Sequence, residues 1–275
     1  MCENWNGKGV GIAFLDTGIF PHMDFGKRIR YFYDYVKLRS YMYDDNGHGT
    51  HTAGIACGDG RGFLGQIKGV ATAAEIISLK VLDYAGNGKK EHVIAALMWI
   101  IKNHRQYNIR IVNISVGAAH ADEHMQKLLI QAVNDVWDEG LVVVTAAGNL
   151  GPGRSTITAP GSSYKVITVG ASDLLKSAYP ISGRGPTGEC ICKPDILTPG
   201  AGVLACSNEQ GRYIRKSGTS MSTARVSGAV ALLLQKYPDM DNLTVKKKIL
   251  EAGEDLGLSK NLQGRGLLNI EKLLN

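Results

Sequence analysis

The sequence predicts an α/β fold: a three-layer domain with a mostly parallel central sheet and helices on both faces. Two observations carry this. Short, continuous apolar runs bounded by turn residues recur along the chain, the pattern of strands buried on both faces. Between them lie stretches with the apolar spacing of helices, and strands that alternate with helices build parallel sheets.

The first apolar run covers residues 10–15 and ends at Asp16 in a turn. Runs at 76–82, 111–114, 141–145 and 166–169 repeat the pattern. Helices are predicted over 91–102 and 124–136. Residues 222–237 are small and apolar nearly all round, as a buried helix requires, and Pro238 stops them. The last clear helix spans 243–250. No repeat, low-complexity linker or composition break divides the chain, so one domain over 1–275 is expected.

Composition narrows the function classes. Hydrophobic residues make up 44% and charged residues 20% of the 275, a globular balance that allows roughly three quarters of the unfolded surface to be buried. No apolar run approaches the ~20 residues of a membrane span, and the first ten residues lack the basic start and apolar run of a signal peptide. The net charge of +6 is dispersed apart from Lys246, Lys247 and Lys248. That triplet reads as a solvated helix face, so neither nucleic acid nor membrane is expected as a partner.

Five cysteines, an odd number without regular spacing, argue against a disulfide framework. Cys190 and Cys192 lack the second ligand pair that a zinc site needs. Free thiols suit a reducing compartment. A cytoplasmic protein is therefore expected, with secretion after removal of a signal and prodomain as the alternative.

Three Gly-rich islands hold the chemistry: Asp16-Thr17-Gly18-Ile19, Asn46-Gly47-His48-Gly49-Thr50-His51 and Ser217-Gly218-Thr219-Ser220-Met221. They supply an acid, a base and a nucleophile in that order. A serine hydroxyl becomes a useful nucleophile when an imidazole takes its proton and a carboxylate fixes that imidazole's tautomer. A fourth island, Ala146-Ala147-Gly148-Asn149, follows the run at 141–145. There the Asn149 amide, with the backbone N–H of Ser220, can donate to a developing oxyanion. Asp16 and Asn149 fall just after strands, and His48 and Ser220 open helices. In open α/β sheets, sites gather at the carboxyl ends of strands. Alone, Asp16 would pass for a turn residue and Ser220 for a helix cap.

Taken together, the four ordered islands resemble the subtilisin-like serine proteases. The resemblance runs from about Gly9 to the stretch Gly264-Arg265-Gly266-Leu267. It implies a serine endopeptidase that acts on protein or peptide substrates through an acyl-enzyme. In that reading Ser220 attacks, His48 is the base, Asp16 orients His48 and Asn149 stabilises the oxyanion. His51, three residues past His48, is left as a buried, hydrogen-bonded histidine. No organic cofactor is implied.

The family pattern also places Gly86, Asn87 and Gly88 on one edge of an extended substrate, and Ser115, Val116 and Gly117 on the other. A peptide would bind there as an added strand. Ala159-Pro160 falls where the family often has a cis bond. Thr158 stands where the floor of the S1 pocket is often glycine, and its stiff β-branch implies a shallower pocket. Ala224 and Arg225 replace the usual Pro and His beyond the nucleophile, which is expected to alter helix-start packing more than the reacting bond.

Many subtilases bind calcium in a loop that corresponds here to 57–68. Its only carboxylate is Asp59, and Asp24 could add one, which is few for a site wanting six to eight oxygen ligands. No metal site is expected there. Only fifteen residues precede Asp16, so no prodomain is expected in the chain: either one was removed or the protein never had one, and a prodomain or inhibitor absent from this chain is the further partner expected. Two rival readings are a pseudoprotease kept for binding, which an intact triad opposes, and a basic nucleic-acid-binding protein, which no motif supports.

Overall fold

Among the described residues, a nine-stranded sheet runs through the middle of the molecule. The structure is a computed structural model that describes residues 5–117 and 123–275; Cys2 lies outside the described residues. The strands are β1 (Gly11–Asp16), β2 (Ile29–Asp34), β3 (Glu75–Lys80), β4 (Ile109–Ile114), β5 (Val142–Ala146), β6 (Ile167–Ala171), β7 (Ile196–Thr198), β10 (Gly253–Glu254) and β11 (Leu267–Leu268). Every pairing is parallel except β10 with β11. A separate antiparallel hairpin joins β8 (Val203–Cys206) to β9 (Tyr213–Lys216).

Helices cover both faces. α1 (His48–Cys57) packs on α4 (Thr219–Lys236), and α2 (Lys90–Asn103) packs on α3 (Glu123–Asp138). α5 (Asn242–Glu251), α6 (Lys260–Gln263) and α7 (Ile270–Leu274) complete the chain. The five predicted strands and four predicted helices are all present. β1, β5 and β6 are buried at every position, which is why they read as unbroken apolar runs. α4 buries its residues nearly all round and starts at Thr219, so Thr219, Ser220 and Met221 of the third island lie in its first turn. The Asp241 side chain caps α5 by accepting from the Thr244 N–H at 2.6 Å.

Elements without a long apolar run escaped the sequence reading. β2 is a half-buried edge strand, β7 has three residues, and β10 and β11 have two each. The Ala159–Pro160 bond is cis, as expected, and so are Gly151–Pro152, Gly185–Pro186 and Lys193–Pro194.

Lys246 is not part of a solvated face: its side chain is 16% exposed. Its ammonium donates to the carbonyls of Tyr164 (2.8 Å), Lys165 (3.0 Å) and Val166 (3.0 Å). Burial lowers its pKa to about 8. A lysine's long apolar stem and three donors let it bridge a helix to a loop in this way.

The sheet order sets the position of the site. From β1 the chain fills one side of the sheet through β3 and β2, and the other through β4, β5, β6 and β7. The carboxyl end of β1 is therefore the switch point, where open α/β sheets leave a crevice. Asp16 is the last residue of β1.

Candidate active site

Asp16 is 1% exposed, held between β3 and β4. Its Oδ1 accepts from the Thr17 N–H and lies 2.7 Å from His48 Nδ1; its Oδ2 accepts from Thr52 Oγ1 at 3.2 Å. His48 is the first residue of α1. The turn before it needs Gly47, whose φ is +89°, a region that disfavours side chains. Gly49 is required by close approach: a Cβ there would lie 2.1 Å from the Gly18 carbonyl oxygen.

Asp44, which the sequence did not single out, organises this turn. Buried, it accepts from Thr17 Oγ1 (2.9 Å) and the Gly47 N–H (2.7 Å) through Oδ1. Through Oδ2 it accepts from the Thr50 N–H (2.9 Å) and Thr50 Oγ1 (2.6 Å). The Gly49 N–H donates to Thr17 Oγ1 at 2.9 Å. The acid's strand and the histidine's helix are thus tied through one carboxylate. An aspartate two residues before an Asn-Gly turn gives only a loop signal in sequence.

Burial by itself would lower the His48 pKa. The charge and hydrogen bond of Asp16 outweigh burial and raise it. His51 behaves oppositely: buried, it drops to about 4 and stays neutral. Its Nε2 donates to the carbonyls of Val203 and Ile214, both at 3.0 Å. The expected hydrogen bond is present on that nitrogen, and Nδ1 has no partner. His51 therefore pins the β8–β9 hairpin to α1.

Ser220, the second residue of α4, is 5% exposed. Its Oγ donates to the Ser115 carbonyl at 3.0 Å, not to His48. Asn149 follows β5, and its Oδ1 accepts from the Thr219 N–H (3.0 Å) and Oγ1 (3.1 Å). Those bonds assign the oxygen and leave the Asn149 NH₂ on the cleft side.

His48, Ser220, Asn149, Gly86, Asn87, Gly88, Ser115, Val116 and Gly117 line a single cavity of about 760 Å³. Thr158 lies instead in an adjoining pocket of about 190 Å³, with Ser115, Gly117, Gly148, Asn149 and Ser220. The turn before Gly88 is built by Asp83, whose Oδ1 accepts from the N–H groups of Ala85 and Asn87, both at 2.9 Å. Asn46 Nδ2 donates to the Tyr84 carbonyl at 2.9 Å and ties this edge to the loop before His48.

The loop at 57–68 is occupied by protein contacts. Asp59 pairs with Arg61 at 2.6 Å. Asp24 accepts from the Gly62 N–H (2.8 Å), the Tyr213 hydroxyl (2.8 and 2.9 Å) and the Cys206 thiol (3.5 Å). His22, Asp24 and Cys206 lie buried together with donor atoms within 4.8 Å. Cys57, Cys190, Cys192 and Cys206 are free thiols. The departures Ala224 and Arg225 do pack at the start of α4, Ala224 fully buried and Arg225 partly so.

The Subtilase family matches residues 7–267. The chain is 39% identical to the serine protease AprX of Bacillus subtilis, covering 98% of this chain and 67% of that protein. It is 34% identical to subtilisin Savinase of Lederbergia lenta, covering 96% and 90%. Among solved structures, Sphericase superposes with a TM-score of 0.83 at 27% identity, covering 97% of this chain and 93% of the other. A cold-adapted subtilisin-like serine proteinase superposes with a TM-score of 0.79 at 29% identity, covering 97% and 89%. A sheet with an acid at its switch point, an imidazole on that acid, a serine opening the buried helix and these relatives together show that the chain belongs to the subtilase family of serine proteases.

Proposed function

We propose that Asp16, His48 and Ser220 form the catalytic triad of this endopeptidase and that Asn149 stabilises its oxyanion. The observation that carries the reading is the 2.7 Å contact of Asp16 Oδ1 with His48 Nδ1, in a cavity shared by His48, Ser220 and Asn149. Ser220 Oγ swings from the Ser115 carbonyl toward His48 Nε2. It attacks the scissile carbonyl as His48 takes its proton, and Asp16 stabilises the imidazolium. The carbonyl oxygen becomes an oxyanion that accepts from Asn149 Nδ2 and from the Ser220 N–H, a first-turn donor of α4 with no acceptor within the helix. Collapse breaks the C–N bond as His48 protonates the leaving amine. Water, deprotonated by His48, then hydrolyses the ester and restores Ser220.

The substrate lies extended between 86–88 and 115–117 as an added strand, with Thr158 narrowing the pocket for the residue before the scissile bond. The test is labelling with a fluorophosphonate and hydrolysis of a quenched peptide. Wild type should do both and Ser220→Ala neither, with an unchanged melting temperature. Turnover surviving in purified Ser220→Ala would remove the assignment.

No calcium is needed at 57–68, because the lone pairs of Asp24 are already met by Gly62, Tyr213 and Cys206. The likeness to subtilisins favours export over the cytoplasmic reading taken from the cysteines; fractionation of the producing cell tests it.

A further inference from the structure

Lys80 ends β3 and stands in register with Asp16 on β1. Its side chain is fully buried. A lysine ammonium has three protons to donate, and here each meets an oxygen from a different segment. The acceptors are the Thr17 carbonyl at 2.5 Å, Asp45 Oδ1 at 2.7 Å and the Leu82 carbonyl at 2.8 Å. The Tyr43 ring lies 5.2 Å from the nitrogen and adds a cation–π contact. Burying a cation is expensive unless it is paired and hydrogen-bonded; Asp45, itself 27% exposed, supplies the counter-charge.

The three segments are the parts of the site. Thr17 follows the acid. Asp45 lies between Asp44, which ties the acid's strand to α1, and Asn46. Leu82 opens the hairpin that carries one substrate edge: it bridges Gly88, and the Asp83 N–H donates to the Asn87 carbonyl at 2.8 Å. Leu82, Gly86, Asn87 and Gly88 all line the catalytic cavity. Asp16 and His48 have anchors of their own in Thr17, Thr52 and the turn that Asp44 holds. The hairpin is tied to them by less: the Leu82 N–H on the Asp16 carbonyl at 3.2 Å, the Asn46 amide on Tyr84, and Lys80.

We infer that Lys80 is a positioning residue for the substrate strand, one whose ammonium sets the 82–88 hairpin at the distance from the Asp16–His48 pair that an extended peptide needs; this rests on the proteolytic reading given above. Hydrogen bonds from a charged donor are shorter and roughly twice as strong as neutral ones, so the tripod is stiff. Without it the Leu82 carbonyl loses its partner and the hairpin shifts against a triad that stays in place. A peptide added as a strand is held through its backbone, so the shift is felt whatever its side chains. Binding shared by ground state and transition state is lost, which appears in KM rather than kcat. A small acyl compound that reaches only Ser220 uses no edge and is spared.

The test compares a long quenched peptide with p-nitrophenyl acetate on wild type, Lys80→Met, Asp45→Ala and Asp45→Asn. In Lys80→Met, kcat/KM for the peptide should fall about 10- to 100-fold, mostly through KM, and for the ester by less than about threefold, the span of one charge-assisted hydrogen bond against none. Asp45→Ala removes one leg of the tripod on its solvent side, where water can enter, and frees only the exposed Lys37. It keeps the test alive if Lys80→Met does not fold, and should show the same selective loss at roughly three- to tenfold. Asp45→Asn keeps an oxygen acceptor and should recover most of that loss. Equal losses on peptide and ester, a peptide loss confined to kcat, or unchanged peptide hydrolysis in a folded Lys80→Met or Asp45→Ala would overturn the inference. Any of these sinks this inference alone. Failure of wild type to cleave peptide or ester, with no fluorophosphonate label, sinks the proteolytic reading and this inference with it.

Discussion

At the scale of single residues, the catalytic assignments reduce to which proton sits where. His48 must be neutral to act as base, and the Asp16 contact raises its pKa above the usual 6.5 against the pull of burial. The activity should therefore fall as the pH drops through that raised value. Asp16→Asn removes the charge that raises it, so the acid limb of the kcat/KM profile should move to lower pH. The rate should also fall by about 10⁴, because the asparagine no longer fixes the reactive tautomer. A profile measured from pH 5 to 9 with an unmoved acid limb would contradict the pairing. Asn149→Ala should lower kcat by about 10²–10³ with little change in KM, a magnitude known from subtilisin itself. A large KM effect at normal kcat would assign Asn149 to substrate binding instead.

At the scale of elements, His51 joins α1 to the β8–β9 hairpin while His48 faces the cleft from the same turn. The two histidines should separate cleanly. His48→Gln should lose turnover, and His51→Gln should keep most of it. The cost of the second change should appear in stability and its pH dependence. In the folded chain His51 titrates at about 4, and in the unfolded chain at about 6.5. Below 6.5 the unfolded chain takes up a proton that the folded chain refuses, so this stability is present above pH 6.5 and is lost as the pH falls toward 4. The difference is at most about 3 kcal/mol. Denaturant melts at pH 7 and pH 4.5 should show a shallower acid loss in His51→Gln than in wild type; parallel losses would mean that other groups dominate acid unfolding.

At the scale of the whole molecule, the proposed reading makes stability independent of a cation at 57–68. In place of a cation, Asp24 is met by Tyr213 from the β8–β9 hairpin, Cys206 from the same hairpin and Gly62 from the loop. EDTA should leave the melting temperature within a degree or two, and calcium should not raise it. Tyr213→Phe removes a donor from a buried carboxylate and should cost about 1–3 kcal/mol. A fall of many degrees in EDTA, reversed by calcium, would show that the loop holds a cation after all.

The sequence by itself determined the sheet and the chemical groups. Strands buried on both faces must be apolar throughout, so β1, β3, β4, β5 and β6 announced themselves, and catalytic turns demand glycines at spacings few other structures need. The long helices were legible from their periodicity. Edge strands such as β2, and two- or three-residue strands such as β7 and β11, carry too little apolar surface to leave a signal. Only the tertiary structure decided how the islands meet. Asp44 ties the strand of Asp16 to the helix of His48 by joining Thr17, 27 residues away, to the nearby Gly47 and Thr50, and no local pattern encodes the distant bond. The same holds for Lys246, whose run of lysines looks solvated until the 164–166 loop folds over its ammonium. Thr158 completes the contrast. The family pattern supplied its place beside the pocket, but the unpaired hydroxyl between Gly117 and Gly148 exists only because three distant segments converge there. Burial and hydrogen-bond satisfaction are properties of neighbours in space, and for these residues the neighbours come from elsewhere in the chain.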